Sequence, residues 1–168
     1  HGGGIGIVSA VTIAVFCLQS EQPIRLIMFI IALPLALTGL LDDISRLSPR
    51  IRLGVQLAVC AGFLFLLENP APITVNQFHI HGLFLVLILL LLGVWWINLF
   101  NFMDGIDGIA GAQAVIMLSV GAALIAWKHP LAMASPIWML MLLIVAATVG
   151  FLILNWPPAK IFMGDVGS

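Results

Sequence analysis

The sequence predicts an all-α, polytopic membrane protein, and its composition, its low charge and the length of its apolar runs each indicate that class. Of the 168 residues, 62% are hydrophobic and 8% are charged, and the mean hydropathy is +1.23. A typical soluble domain is roughly half apolar and a quarter charged. The apolar residues also occur in long runs, and a helix needs about 17 to 25 such residues to cross the hydrocarbon core.

Six apolar runs are long enough, or nearly so, to cross the membrane as helices. They cover Gly2 to Leu18, Leu26 to Leu41, Leu53 to Leu67, Leu83 to Phe100, Ile109 to Trp127 and Leu131 to Leu154. The second and third are short for a core of about 30 Å, so we expect them to tilt little or to use flanking residues. No soluble domain or long linker separates the runs, which predicts a single membrane-embedded domain over residues 1–168.

Six crossings place alternate connections on opposite faces of the membrane, and the two faces differ in chemistry. All five Asp residues fall in connections on the face where the sequence starts, called the first face here. Both Glu residues fall on the opposite, second face. Four of the six Lys and Arg residues also fall on the first face: Arg46, Arg50, Arg52 and Lys160. Because cytoplasmic loops carry an excess of Lys and Arg, the first face is predicted to be cytoplasmic.

The polar stretch from Asn98 to Gly108 is the first candidate site on this face. Its polar residues recur at every third position, at Asn98, Asn101, Asp104 and Asp107. On a helix this spacing keeps side chains on one slowly drifting stripe, which offers amide and carboxylate oxygens to one ligand. A polar helix end capped by Asn and Gly is the structural alternative.

Asp42 and Asp43 form the second candidate site. Adjacent carboxylates repel each other, which favours sharing a proton, a metal ion or a cationic partner. The neighbouring Arg46, Arg50 and Arg52 can supply that partner or bind an anionic headgroup or phosphate. The alternative is a helix end with solvated charges at the lipid surface.

The tail from Asn155 to Ser168 is the third candidate. Pro157 and Pro158 interrupt the helix, and the Gly-Asp-x-Gly-Ser run then presents the Asp165 carboxylate on flexible backbone. This suits Mg²⁺, which takes one or two carboxylates and leaves its other positions to water and substrate oxygens. Taken alone, the tail fits an ordinary interfacial loop equally well.

With these residues assembled, the chain resembles the polyprenyl-phosphate N-acetylhexosamine-1-phosphate transferases, or glycosyltransferase family 4. This membrane family includes the phospho-MurNAc-pentapeptide translocase and the undecaprenyl-phosphate GlcNAc-1-phosphate transferases. Four stretches carry the resemblance, in family order: His1 to Gly4, Leu40 to Asp43, Asn98 to Gly111 and Pro158 to Ser168. For the glycine-rich first stretch, close helix packing is as good an account as phosphate contact.

The resemblance implies a reaction and its partners. A polyprenyl phosphate oxygen attacks the β-phosphorus of a UDP-N-acetylhexosamine, giving a polyprenyl diphosphate sugar and UMP, with Mg²⁺ (or Mn²⁺) as the cofactor. This is the first membrane step of a cell-envelope glycan. The implied partners are the UDP-sugar, undecaprenyl or another polyprenyl phosphate, and the membrane, with a homodimer left open and no nucleic acid. The implied location is the bacterial inner membrane, with the active site on its cytoplasmic face.

The resemblance also assigns roles to nine residues. Asp165 matches the magnesium-binding Asp of the family, and Asn101 is expected to be a second oxygen donor near the metal. Asp42 and Asp43 match the paired catalytic Asp. For these two we rank charge placement and metal positioning above proton abstraction, since a phosphate monoester is largely ionised at about pH 7. Five residues match positions that bind the nucleotide sugar: Asn98, Asp104, Asp107, Asn155 and, near the uracil, Phe162.

Members of the family have about ten membrane helices and a His-rich cytoplasmic loop after the Gly-Asp-x-Gly-Ser motif. The chain is therefore expected to be a fragment, incomplete at both ends. His79 and His81 fall on the opposite face, where we expect a periplasmic hairpin rather than a metal site. The sequence leaves the sugar open among GlcNAc, FucNAc, QuiNAc and MurNAc-pentapeptide. The residues from Asn155 to Lys160 favour the lipopolysaccharide and O-antigen branch of the family.

An ion-coupled membrane transporter is the alternative function. It predicts carboxylates near the bilayer midplane on discontinuous helices, whereas the Asp residues here cluster at one face. A CDP-alcohol phosphatidyltransferase is disfavoured because the residues after Asp104 do not continue that family's Asp spacing.

Overall fold

The computed structural model describes residues 2–17, 28–67, 70–75 and 77–167, and within them the chain is almost entirely helical. A five-residue π-helix, Met28–Ala32, leads directly into α2. A 3₁₀ helix, Pro130–Ala134, precedes α6. The α-helices are α1 (Gly3–Cys17), α2 (Leu33–Ser45), α3 (Pro49–Leu66), α4 (Gly82–Met103), α5 (Ile109–Lys128) and α6 (Pro136–Asn155).

The predicted all-α polytopic fold is confirmed, and each of the six predicted runs overlaps one of these helices. Four helices, α3 to α6, are long and apolar enough to cross a membrane. The other two are shorter, with 15 residues in α1 and 13 in α2. For α2 the π-helix extends the helical backbone, which runs unbroken from Met28 to Ser45. Among the described residues, length alone therefore supports four of the six predicted crossings. The end of the first run and the start of the second, within residues 18–27, lie outside that part of the chain.

Helix boundaries follow local chemistry. Ser48 precedes α3 and accepts a hydrogen bond from the Ile51 backbone N–H at 3.4 Å, and Ser135 caps α6 in the same way through the Trp138 N–H at 3.3 Å. A proline follows each of these serines, at a position where its missing N–H costs nothing. At the end of α2, Arg46 adopts a left-handed conformation with φ of 49°. This turn directs the chain straight into α3.

The helices pack in two neighbouring groups. In the first, α6 lies against both α1 and α5, and in the second α3 lies against α2 and α4. Val15 of α1 is 1% exposed and packs with Ile144 and Leu140 of α6. Outward positions carry exposed apolar side chains, such as Leu83 and Ile153. Such surfaces suit hydrocarbon, in which only elements with internally satisfied backbone groups are stable.

The predicted hairpin around His79 is present. Strands β1 (Ile73–Val75) and β2 (Phe78–Ile80) are antiparallel, with Thr74 opposite His79. The two side chains of that pair are in contact, since His79 Nδ1 lies 3.1 Å from Thr74 Oγ1.

Candidate active site

The ends of α2 and α4, the start of α3 and the tail after α6 converge on one cavity of about 250 Å³. Residues far apart in sequence thus share one site. Four of the predicted site residues line it, together with two polar residues of α3 and Thr38 of α2. The polar lining residues are Thr38, Asp42, Arg52, Gln56, Asn98, Asn101 and Asp165.

Asp42 is fixed by hydrogen bonds to both of its carboxylate oxygens. Oδ2 accepts from Arg52 Nη1 at 2.7 Å, and Oδ1 accepts from the Leu47 backbone N–H at 2.6 Å. The side chain is buried, with 9% exposure, whereas that of Arg52 is 40% exposed. The short turn between α2 and α3 produces this arrangement, because it folds Leu47 and Arg52 back onto the end of α2.

Asp165 enters the same cluster from the tail. Its Oδ1 accepts a hydrogen bond from Asn101 Nδ2 at 3.1 Å, and its Oδ2 lies 3.8 Å from Arg52 Nη1. Its backbone N–H donates to Asp43 Oδ1 at 3.4 Å. Burial raises the pKa of the Asp165 carboxyl, and the adjacent Asp42 carboxylate raises it further. Burial and the neighbouring carboxyl thus disfavour the ionised form of Asp165, which a bound cation would favour.

This donor set fits a magnesium ion only when substrate completes the coordination. Among the described residues, no group of three or more His, Cys, Asp or Glu side chains could hold a metal ion by itself. Mg²⁺ normally takes one or two carboxylates and keeps water or phosphate oxygens in its other positions. Asp165 supplies a carboxylate that a cation would stabilise. The amide nitrogen of Asn101 faces Asp165, so its role as a metal ligand stays a prediction.

Asn98 and Gln56 form an amide pair across α3 and α4 at the wall of the cavity. Asn98 Nδ2 donates to Gln56 Oε1 at 2.7 Å, and Gln56 Nε2 donates back to Asn98 Oδ1 at 3.5 Å. Gln56 was not among the residues predicted from the sequence. Its position four residues after Arg52 places both side chains on one face of α3, and this spacing could have indicated it as a site residue.

Two more predicted residues join the loop after α4 to the tail. Asn155 is 4% exposed. Its Oδ1 accepts from the Gly108 N–H at 2.9 Å, and its Nδ2 donates to the Ile161 carbonyl at 2.8 Å. Asp107 Oδ2 accepts from the Ala159 N–H at 3.1 Å.

The remaining predicted residues lie around the cavity rather than in its lining. Asp43 is exposed and adjoins the Asp165 backbone. Asp104 is half-buried at the end of α4, and Phe162 is 47% exposed on the tail. Substrate contacts by Asp104, Asp107, Asn155 and Phe162 stay predictions.

The glycine-rich start of α1 packs against the tail. The Gly3 N–H donates to the Phe162 carbonyl at 3.0 Å, and the Gly4 N–H donates to the Met163 carbonyl at 2.9 Å. These N–H groups have no partner within the first turn of a helix, so the tail satisfies them. An added Cβ on Gly3 would also meet the Phe151 ring of α6. Close packing therefore accounts for this stretch, and phosphate contact stays a prediction.

Comparison with known proteins identifies the family. The family model described as "Glycosyl transferase family 4" matches residues 25–168. The chain belongs to glycosyl transferase family 4. Several relatives of this family 4 chain are bacterial proteins with the name phospho-N-acetylmuramoyl-pentapeptide-transferase. Together with the apolar helices, this makes the chain part of a multi-pass bacterial membrane protein and a relative of phospho-sugar transferases.

Two relatives show the extent of the similarity. The protein of Streptococcus pneumoniae (strain CGSP14) is 31% identical over 181 residues, covering 99% of this family 4 chain and 54% of the relative. That of Streptococcus thermophilus (strain CNRZ 1066) is 34% identical over 154 residues, covering 84% and 44%. The chain spans about half the length of these curated relatives. Their name is that of an N-acetylmuramoyl-pentapeptide transferase and gives no support to the lipopolysaccharide branch, which stays a prediction.

Proposed function

We propose that the protein transfers an N-acetylhexosamine-1-phosphate from a UDP-sugar to a polyprenyl phosphate and releases UMP. The observation that carries this proposal is the meeting of Asp42, Arg52, Asn101 and Asp165 at one cavity. Membership of family 4 and the name of the two relatives support it.

The reaction is a displacement at phosphorus. An oxygen of the lipid phosphate forms a bond to the β-phosphorus of the UDP-sugar, and the bond from that phosphorus to the α–β bridging oxygen breaks. The bridging oxygen leaves with the electron pair as part of UMP. Such reactions need placement of the reactants and compensation of negative charge more than they need covalent chemistry from the protein.

The residues of the cluster suit charge placement better than proton removal. Both carboxylate oxygens of Asp42 already accept hydrogen bonds, from Leu47 and Arg52. The attacking phosphate monoester is largely ionised at about pH 7 and has little need of a base. We infer that Arg52 holds Asp42 in place and that Asp165 is the carboxylate that binds Mg²⁺. When bound, Mg²⁺ would neutralise the diphosphate and stabilise the departing UMP.

The cavity also suits an amphiphilic acceptor. Its polar end is formed by the charged cluster, while apolar side chains of several helices line the rest, including Val8, Leu35, Val55 and Ile97. A polyprenyl phosphate has the same division between an anionic head and a hydrocarbon chain. We therefore place the lipid phosphate beside Arg52, at the membrane face predicted to be cytoplasmic.

The proposal is tested with the full-length protein in detergent, undecaprenyl phosphate, Mg²⁺ and UDP-sugars labelled in the β-phosphate. We expect the label in the lipid fraction, UMP as the released nucleotide, and reversal on addition of UMP. MurNAc-pentapeptide and GlcNAc donors are tested first. The relatives' name indicates the MurNAc-pentapeptide donor, and GlcNAc is one of the donors left open for the lipopolysaccharide and O-antigen branch that the sequence favours. Release of labelled UDP, or no transfer from any donor by folded protein, would contradict the proposal. The second result would favour the transporter alternative.

A further inference from the structure

The tail that carries Asp165 lies directly against one glycine of α2. An ideal Cβ built on Gly39 would lie 2.7 Å from the Val166 backbone nitrogen, and it would be closer still to the carbonyl group of Asp165. Real Cβ atoms essentially never approach other atoms within 3.0 Å. Gly39 is buried and precedes Asp42 by three residues, so the two lie on the same face of α2. Any other residue at position 39 would force the tail outwards.

Asp43, one turn further along α2, also holds the tail against this helix. Asp43 Oδ1 accepts the Asp165 backbone N–H at 3.4 Å. Gly164 has a φ of 71°, and an ideal Cβ on it would lie 2.8 Å from Asp43 Oδ2. The backbone of the tail is thus held against Gly39 and Asp43, and this placement directs the Asp165 carboxylate towards Asn101.

We propose that Gly39 is a positioning residue, whose lack of a side chain sets how deeply Asp165 enters the cavity beside Asp42 and Arg52. A methyl group at position 39 requires the tail to withdraw until the contact reaches the ordinary 3.4 to 4 Å. Misplacement of a reacting group by about 1 Å can slow a reaction by about 100-fold. The inference rests on the proposed function for its kinetic readout, so a readout independent of turnover is needed as well.

The test compares Gly39→Ala with two helical glycines that have space around them. An ideal Cβ on Gly54 of α3 or Gly150 of α6 meets no atom within 4 Å. The three variants of the full-length protein are assayed for kcat of UMP release and for binding of Mn²⁺ alone, followed by electron paramagnetic resonance without substrate. We expect Gly39→Ala to lower kcat by about 10- to 100-fold and to weaken Mn²⁺ binding, with the other two within about twofold of wild type.

A double variant separates positioning from a general effect on folding. If Gly39 acts through Asp165, Gly39→Ala causes no further loss of Mn²⁺ binding in an Asp165→Asn background. If Gly39→Ala does not fold, Gly164→Ala replaces it, because there the added methyl group meets a side-chain oxygen rather than backbone, while the φ of 71° still strains the tail beside Asp165. The same losses are expected from that variant.

The outcomes distinguish this inference from the proposed function. Gly39→Ala with kcat and Mn²⁺ affinity equal to those of Gly54→Ala would overturn the role of Gly39, as would wild-type behaviour of Gly164→Ala where that variant replaces it. Wild-type protein that binds Mn²⁺ but releases no UMP would contradict the proposed function alone. Where the Gly39→Ala protein folds, its structure decides, since an unchanged contact between Asp165 and Asn101 would refute the inference.

Discussion

Arg52 and Asp42 form an ion pair across the connection between α2 and α3, with Nη1 and Oδ2 2.7 Å apart. The same nitrogen lies 3.8 Å from Oδ2 of Asp165, on the tail. One guanidinium therefore contacts two carboxyl groups that are far apart in sequence. The two carboxyls also adjoin each other, and Asp42 raises the pKa of Asp165, so removal of Arg52 would leave two like charges together in a partly buried site without this cation.

Replacement of Arg52 by Ala is expected to lower transfer by roughly 10- to 100-fold, because loss of one preorganised charge at a reacting site has effects of about that size or more. Arg52→Lys keeps the charge but has a single compact ammonium group, so we expect partial activity. The measurement is kcat for UMP release by the full-length protein. Arg50→Ala is the matched control, since Arg50 is exposed in the same turn of α3. Equal activity of the Arg50 and Arg52 variants would contradict the role of the guanidinium.

The pH dependence of transfer is expected to show the ionisation of Asp165. Burial, and next the Asp42 carboxyl, raise its pKa, so activity that needs the ionised form is lost as the pH falls through a value above the ordinary 3.9 or so of Asp. By linkage, the same shift stabilises the fold below the ordinary pKa, and this stabilisation is lost as the pH rises through the raised pKa. The measurement is the acid limb of the profile of log rate against pH with Mg²⁺ well below saturation, where the proton and the metal compete for the Asp165 carboxyl and the limb reflects its metal-free pKa.

The Asn101→Ala variant checks the assignment of that limb to Asp165. The hydrogen bond from Asn101 lowers the pKa of Asp165, so its removal should move the acid limb to higher pH. Asn98→Ala leaves that hydrogen bond in place and should not move the limb, even if it changes the rate. An acid limb that stays in place in the Asn101 variant would show that another group titrates.

The fold was largely predictable because hydropathy reports directly on membrane helices. Apolar runs located all six helices, and Ser48 followed by Pro49 marked the turn before α3. The boundaries of α4 were less accurate, since the helix continues to Met103 through Asn98 and Asn101. The packing of α3 and the tail around that polar end compensates for its polarity, and sequence periodicity does not contain this tertiary information.

Loss of the Asn155 side chain is expected to destabilise the protein rather than simply to weaken substrate binding. In Asn155→Ala, the Gly108 N–H and the Ile161 carbonyl lose their partner in a buried position. A buried polar group left unsatisfied costs about 1 to 3 kcal/mol. We expect a lower midpoint of thermal unfolding for the full-length variant in detergent, together with reduced activity.

Two further variants test this interpretation. Asn155→Asp keeps an acceptor for the Gly108 N–H but turns a buried carboxylate oxygen towards the Ile161 carbonyl, so it should be no more stable than Asn155→Ala. Asn98→Ala should change the unfolding midpoint little, because Asn98 is exposed and water can replace its bond to Gln56. Wild-type stability of Asn155→Ala would show that the loop and the tail do not depend on this side chain.

The candidate site could be predicted in part. Motifs identified Asp42, Asn101 and Asp165, since carboxylates and amides next to glycine at helix ends are visible in sequence. Sequence alone could not choose Arg52 from three neighbouring arginines, because the choice depends on how the turn after α2 folds. The contact between Gly39 and the tail was also beyond prediction, since it joins two backbones and leaves no pattern of side chains.

The most direct test of the proposed transfer compares UMP release by full-length wild type with that of two single variants, Asp165→Asn and His81→Ala. Asp165 lies in the cluster, whereas His81 precedes α4 beside the hairpin. We expect magnesium-dependent UMP release by wild type and His81→Ala, and its loss in folded Asp165→Asn protein. Undiminished release by Asp165→Asn would contradict the proposal that the cluster at the cavity is where the transfer occurs.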